Sequence, residues 1–178
     1  FSDEVIAKRI AATATFGETV AAYSGAADVP AQGLALDAID PSINGSADMV
    51  VMIRALHNLN RFEDKAGTRT SALKQIHALL KPDGIVGVVQ HRAPEDSDDA
   101  WANGSNGYLK QSAVIAMFEQ AGFELVASSE INANPNDKPS VDDSVWRLPP
   151  SLRTEEENKA ANLAIGESDR MTLKFVKK

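Results

Sequence analysis

Two short runs of consecutive apolar residues stand out in the hydrophobic pattern of the chain. The first lies within Asp48 to Arg54, where Met49 to Ile53 are all apolar, and the second lies within Ile85 to Gln90. Runs of four to eight apolar residues are typical of strands that are buried on both faces, as in a parallel sheet covered by helices. The pattern therefore predicts two buried strands.

Apolar residues at helical spacing predict the helices, and other short apolar segments predict three further strands. The predicted helices cover Ser2 to about Tyr23, Thr70 to Leu80, Gln111 to Ala121 and Thr154 to Leu163. The further strands cover Leu34 to Asp37, Phe123 to Ile131 and Met171 to Val176. Strands that alternate with helices predict an α/β fold with a mostly parallel sheet. No convincing crossover helix separates the last two strands, so we expect that pair to be antiparallel.

Glycine, proline and small polar residues mark the connections between these elements. Lys81-Pro82-Asp83-Gly84 ends the predicted helix that precedes it and turns the chain into the next strand. Arg92 to Gly107 is rich in Asp, Asn, Ser and Gly, which predicts a long surface loop of the kind that often carries function. Most of Asn132 to Ile165 is irregular in pattern.

Composition and charge narrow the classes of function. The chain has 178 residues, a net charge of −7 and no long basic run, which argues against a nucleic-acid partner. No apolar stretch approaches the roughly 20 residues that a membrane-spanning helix needs. The absence of cysteine excludes disulfides and thiolate chemistry but leaves a cytoplasmic and a periplasmic location both open. Because the chain opens on Phe1 rather than Met, we expect a processed or trimmed piece of a longer protein.

The order of these motifs resembles that of class I S-adenosylmethionine-dependent methyltransferases. The segment ALLKPDGIVGVVQH is similar to the region of their fifth strand, and MFEQAGFELV is similar to the helix and strand that follow it. The C-terminal stretch, from INANPND through VWRLPPSL to GESDRMTLKFVKK, is similar to a bacterial group of predicted methyltransferases. The resemblance covers nearly the whole chain and implies one Rossmann-like methyltransferase domain over residues 1–178, with an antiparallel C-terminal strand.

The chain departs from the family at its beginning. The family has a glycine-rich cofactor loop after its first strand and a ribose-binding acid after its second, and the sequence contains neither. Leu34 to Asp37 and Asp48 to Arg54 resemble the third and fourth strands, between which the first two lie in the family. Both strands would then have unpaired edges. We therefore expect a second chain, or a second copy in a homo-oligomer, to complete the sheet.

The resemblance implies S-adenosylmethionine as the cofactor and assigns residues to it. The carboxylate of Asp37 is expected to accept the adenine amino group, and the backbone amide of Ala38 to donate to a ring nitrogen. The turn formed by Arg54, Ala55 and Leu56 is expected to line the cleft between cofactor and substrate. The alternative for Asp37 is a turn residue at the end of a strand.

Polar residues after the two apolar runs are candidates for the chemistry. His57 follows the first run and could act as a general base because its ordinary pKa lies near neutrality, or could simply cap the sheet edge. His91 and Arg92 follow the second run, at the same edge if the strands are parallel. We expect His57 and His91 to be catalytic, and Asn58 and Arg92 to bind substrate. No third ligand is spaced nearby, so we expect no metal.

Three aromatic residues lie in or near the long loops. Trp101 and Tyr108 could form a substrate lid or a cage for a cationic group, or could anchor loops. For Trp146, inside VWRLPP, we expect anchoring.

Taken together, the sequence predicts methyl transfer from S-adenosylmethionine to an unidentified, small-molecule acceptor. The alternative is a non-catalytic module that keeps the fold but has lost the cofactor. A small hydrolase is disfavoured because the chain has neither a Gly-x-Ser-x-Gly elbow nor a cysteine nucleophile.

Overall fold

The computed structural model describes residues 3–24 and 31–178. The chain divides into two compact units, Phe1–Ile43 and Asn44–Lys178. The first unit contains helices α1 (Asp3–Ala14) and α2 (Phe16–Ser24) and two 3₁₀ turns, Leu36–Ala38 and Pro41–Ile43. The single helix predicted from Ser2 to Tyr23 is thus two helices that are separated at Thr15, and Ser2 itself lies outside the described residues.

The strand predicted at Leu34 to Asp37 is wrong. The backbone forms a 3₁₀ turn there, in which the amide of Ala38 donates to the carbonyl of Ala35 at 3.0 Å. A strand needs a partner for its backbone groups, and the described residues supply none to this segment. Local hydrogen bonding therefore takes the place of a sheet ladder. Part of the predicted loop from Ser24 to Gly33 lies outside the described residues.

The second unit is built on a five-stranded mixed sheet. Its strands are β1 (Ala47–Ile53), β2 (Leu80–Ala93), β3 (Leu109–Lys110), β4 (Phe123–Ser129) and β5 (Arg170–Lys177). The order is β1-β2-β5-β4, with the short β3 paired in parallel to β2. Strand β1 is parallel to β2, whereas β5 is antiparallel to both of its neighbours. The predicted antiparallel C-terminal strand in an α/β fold is confirmed.

Five helices accompany the sheet. They are α3 (Leu56–Asn60), α4 (Glu63–Ala66), α5 (Thr68–Leu79), α6 (Gln111–Gln120) and α7 (Glu156–Ile165), with a 3₁₀ turn at Val145–Arg147. Three of them, α5 to α7, agree with the predicted helices to within a few residues. No helix among the described residues is long and apolar enough to cross a membrane.

The Lys-Pro-Asp-Gly segment forms a bulge inside β2. Ala47 lies opposite Leu80 and Met49 lies opposite Ile85, so the residues from Lys81 to Gly84 have no counterparts in the ladder. The predicted turn is therefore part of β2. This strand begins at Leu80, before the turn, and ends at Ala93, whereas the sequence predicted a strand that ends at Gln90.

One face of the sheet carries the main core of this unit. Helices α3, α5 and α6 pack on that face, where the Phe118 ring stacks on Phe175 with the ring centroids 4.3 Å apart. On the other face, Met49, Val51 and Ile53 of β1 are 54%, 56% and 58% exposed. The prediction that this apolar run is buried on both faces is wrong, because only alternate side chains of β1 reach the core.

Candidate active site

A cavity of about 310 Å³ lies at the carboxyl ends of β1 and β2. Ligands of open α/β sheets commonly bind outside this edge, in cavities of a few hundred Å³. The polar and aromatic lining includes Arg54, His57, Asn58, His91, Trp146, Glu167, Ser168 and Arg170. The described residues thus form a concave surface at the edge that the sequence predicted as the site, although its function stays a prediction.

Arg54 makes the turn out of β1 in a strained conformation. Its φ is 53°, in the left-handed region, which costs a residue with a side chain about 1–2 kcal/mol. Its amide still donates to the carbonyl of Val89 on β2 at 2.7 Å. The hydrogen bonds between β1 and β2 thus extend to Arg54. Backbone strain such as that of Arg54 is concentrated at functional sites.

The imidazole of His57 is held by the fully buried side chain of Gln90. The Gln90 amide nitrogen donates to the carbonyl of Gly107 at 2.8 Å, and its Oε1 accepts the backbone N–H of His57 at 3.2 Å. These two bonds fix which end of the Gln90 amide is the oxygen. Nδ1 of His57 lies 3.2 Å from that same oxygen, so Nδ1 must carry the proton and donate it.

His57 is therefore the tautomer whose Nε2 has a free lone pair. No hydrogen bond among residues 31–178 engages that nitrogen, and the residue lines the cavity. Burial, and to a smaller extent the charge of Arg61, lowers the pKa of His57. The ring is neutral at physiological pH and can accept a proton at Nε2 from a molecule in the cavity.

Gly104 brings the long loop against the backbone of His57. Its φ is +99°, and a Cβ at this position would lie 2.6 Å from the carbonyl oxygen of His57. Only glycine fits such an approach without displacing the backbone. The loop from Arg92 to Gly107 thus takes part in forming the site through its backbone, with Gly107 fixing Gln90 and Gly104 packing against His57.

His91 lies next to His57, with the ring centroids 5.6 Å apart. Its Nδ1 is 2.6 Å from the hydroxyl of Ser168. Burial lowers the pKa of His91 to about 3, helped by His57 and by the charges of Arg54 and Arg170. The ring is uncharged at physiological pH and can hydrogen-bond a ligand, while a proton-transferring role stays a prediction.

Trp146 reaches the cavity on a segment that a buried polar network holds in place. Its indole meets the His57 ring edge-on, with the centroids 6.1 Å apart. In the network, the carboxylate of Asp137 accepts the Tyr108 hydroxyl at 2.9 Å, the Arg147 guanidinium at 3.0 Å and the backbone N–H of Asp169 at 3.0 Å. The network around Asp137 thus anchors this segment, and Trp146 on the same segment lines the cavity.

The other predicted site residues lie in different surroundings. Arg92 is ion-paired with Asp169 and Glu130, and it does not line the cavity because it points to the opposite side of β2 from His91. Tyr108 is fully buried and Trp101 stacks on it at 5.4 Å, so neither lines the cavity. Their substrate-binding roles stay predictions.

The predicted cofactor residues are similarly divided. Arg54 lines the cavity, whereas the side chain of Leu56 is fully buried in the core. Ala55 is the N-cap of helix α3, and its carbonyl accepts the amide of Asn58 at 3.0 Å. Asp37 and Ala38 belong to the first unit, and the amide of Ala38 is already used within its own turn.

Sequence reasoning missed the part of the site that comes from the C-terminal third of the chain. Ser168 and Arg170 reach the cavity because β5 returns antiparallel to β2 and begins at the edge where β2 ends, whereas Trp146 reaches it on the 3₁₀ turn at Val145–Arg147. Arg170 is the direct ladder partner of His91. The predicted antiparallel pairing was the one signal that could have placed the start of the last strand beside the two histidines.

No family model and no curated protein sequence matches the chain. Several solved structures resemble it. A 1,6-didemethyltoxoflavin-N1-methyltransferase from Burkholderia thailandensis, solved with S-adenosylhomocysteine, is 13% identical over 82% of this chain and 49% of its own, with a TM-score of 0.47. The [4+2]-cyclase SpnF is 15% identical over 79% and 54%, with a TM-score of 0.44.

A TehB-like SAM-dependent methyltransferase from Corynebacterium glutamicum is 17% identical over 79% of this chain and 54% of its own, with a TM-score of 0.39. The chain thus spans about half the length of these three solved proteins. Similarity at this level concerns the path of the backbone, and no residue's role follows from it.

Proposed function

We propose that this chain is part of a class I S-adenosylmethionine-dependent methyltransferase and supplies the side of the cleft that receives the methyl acceptor. The observation that carries the proposal is the neutral His57, whose Nε2 is available to a cavity at the carboxyl ends of the parallel strands β1 and β2. The sequence resembles the methyltransferase family in these same strands. A cavity of about 310 Å³ suits a small-molecule acceptor.

The residues of the cavity fit only the reacting end of the cofactor. Arg54 and Asn58 offer polar side chains there, whereas the Ala38 amide is bonded within its turn and the sequence contains no Gly-x-Gly loop. Residues outside the cavity must therefore hold the adenosine portion. When bound, S-adenosylmethionine supplies an electrophilic methyl group, whose bond to sulfur breaks as a lone pair of the acceptor bonds to its carbon.

The protein's own contribution is to position the acceptor and remove its proton. His57 Nε2 accepts the proton that an acceptor hydroxyl or amine loses on methylation. Gln90 keeps the ring in the required tautomer and orientation, because its Oε1 accepts both the backbone N–H and the Nδ1–H of His57. The indole of Trp146 meets the His57 ring edge-on and adds an apolar surface beside it.

Binding of S-adenosylhomocysteine tests the proposal. We expect the purified protein to bind S-adenosylhomocysteine saturably in calorimetry. An intact-mass measurement of the same sample under denaturing conditions shows whether a second polypeptide is present. Absence of binding at millimolar concentrations, by every species the sample contains, would overturn the proposal. The non-catalytic module would then be the better description, and the internal bond of the Ala38 amide already favours it.

Replacing His57 tests its role as the base. We expect His57→Gln to slow the release of S-adenosylhomocysteine in the presence of a small-metabolite extract by roughly 10²–10⁴-fold, because proton removal at Nε2 is lost. The affinity for S-adenosylhomocysteine should stay the same. His77→Gln, on α5 and outside the cavity, is the matched control. Equal rates in the two variants would exclude His57 as the base.

A further inference from the structure

The cavity at the ends of β1 and β2 has an excess of positive charge. Two guanidinium groups line it, from Arg54 and Arg170, against one carboxylate, from Glu167. The histidines of the cavity add no charge because both rings are neutral at physiological pH. Clefts lined by an excess of one charge attract ligands of the opposite sign. The composition of the lining therefore favours an anionic ligand.

Arg170 is incompletely satisfied by the protein. Its terminal nitrogen bonds Glu167 at 2.6 Å, but its buried Nε has no hydrogen-bond partner among the described residues. Burying a donor without a partner is unfavourable. Guanidinium groups bind carboxylates through charge-assisted hydrogen bonds, and Arg170 lines the cavity in which a ligand carboxylate would lie.

Arg54 provides the second positive group. Its side chain has no ion pair or hydrogen bond among residues 31–178, although it lines the cavity. It is close enough to His91 for its charge to act on that ring, as is Arg170. Arg54 bonds Val89 of β2 through its backbone amide and Arg170 is the ladder partner of His91, so both residues lie beside the end of β2.

Another part of the cavity lining is aromatic. The indole of Trp146 and the imidazole of His57 meet there, with the centroids 6.1 Å apart. Aromatic walls favour planar rings, which stack or meet edge-on. His57 Nε2 is available on this wall to accept a proton from a ligand hydroxyl or amine.

We propose that the cavity binds a small aromatic acid as the methyl acceptor. Its carboxylate is held by Arg54 and Arg170, its ring packs against Trp146, and its hydroxyl or amine donates a proton to His57. The inference rests on the proposed function. A carboxylate in this position could also belong to the methionine portion of the cofactor, and the experiment separates the two sources.

The test compares 4-hydroxybenzoate with the neutral 4-hydroxybenzamide. Binding is followed by the NMR signal of the Trp146 indole N–H in a Trp101→Phe background, which leaves one tryptophan. We expect saturable binding of the acid, at least tenfold tighter than that of the amide. Undetectable binding of the acid, or equal binding of the two compounds, would overturn the inference.

Charge variants locate the carboxylate. We expect Arg54→Gln and Arg170→Gln each to weaken binding of 4-hydroxybenzoate by tenfold or more. Lys174→Gln removes the same charge from the same strand as Arg170 but lies outside the cavity, and it should leave the affinity unchanged. Glu167→Gln should tighten binding several-fold, because it removes the competing carboxylate. This gain cannot come from misfolding, and its absence would contradict the assignment.

Saturating S-adenosylhomocysteine then separates the two sources of the carboxylate. If the acid still binds, the acceptor assignment stands, whereas displacement of the acid would show that the cofactor's carboxylate uses the site. If S-adenosylhomocysteine does not bind at all, the proposed methyl transfer fails while the binding of the acid is still measured. The two proposals thus fail separately.

Discussion

Single residues at the strand ends carry the ionisable groups of the cavity, and we expect one of them, His91, to make the stability of the protein depend on pH. Its pKa falls from 6.5 to about 3 in the folded protein. Below pH 6.5 the unfolded chain therefore binds a proton that the folded one does not. The free energy of unfolding should decrease as the pH falls from 6.5 toward 3, by about 1.4 kcal/mol per pH unit from this group.

Urea denaturation between pH 7 and pH 4 measures this dependence. We expect His91→Asn to reduce the slope of the unfolding free energy against pH, since an asparagine amide can still bond Ser168 but does not titrate. His57 contributes in the same direction and should leave a smaller residual slope. An unchanged slope in the variant would mean that other groups cause the acid sensitivity.

At the scale of elements, the segment that carries Trp146 depends on Asp137. Its buried carboxylate joins Tyr108, Arg147 and the backbone just before β5. We expect Asp137→Asn to lower the free energy of unfolding by about 3 kcal/mol, because Arg147 keeps a buried charge with only Asp143 to pair it. Asp142→Asn, at an exposed neighbouring position, should be neutral. Equal stability of the two variants in chemical denaturation would contradict this role of the network.

The elements also show what the sequence could and could not predict. The apolar run before Arg54 and the alternation of Met171, Leu173 and Phe175 correctly placed strands, because these patterns follow directly from burial in a sheet. The strand prediction for Leu34 to Asp37 failed because a strand forms only beside a partner strand, and the local sequence pattern does not show whether a partner is present. Trp146 was missed as cavity lining because its position depends on a network of distant residues.

At the scale of the molecule, β1 is an edge strand with an exposed apolar face. It pairs only with β2 among the described strands, and Val51 is 56% exposed. Such edges promote association. We expect Val51→Lys to reduce the concentration-dependent self-association of the protein in analytical ultracentrifugation. Ile131→Lys introduces the same charge at an 83% exposed position outside the strands and is the control. Identical sedimentation of the two variants would argue against β1 as an association surface.

The bulge from Lys81 to Gly84 offers a convenient attachment point for a reporter. These residues have no counterparts in the ladder, Asp83 is exposed, and the bulge is at the opposite end of β2 from the cavity. Because the chain contains no cysteine, Asp83→Cys would introduce a single thiol. A fluorophore on that thiol could follow the association of the protein by its rotational diffusion while leaving the cavity untouched.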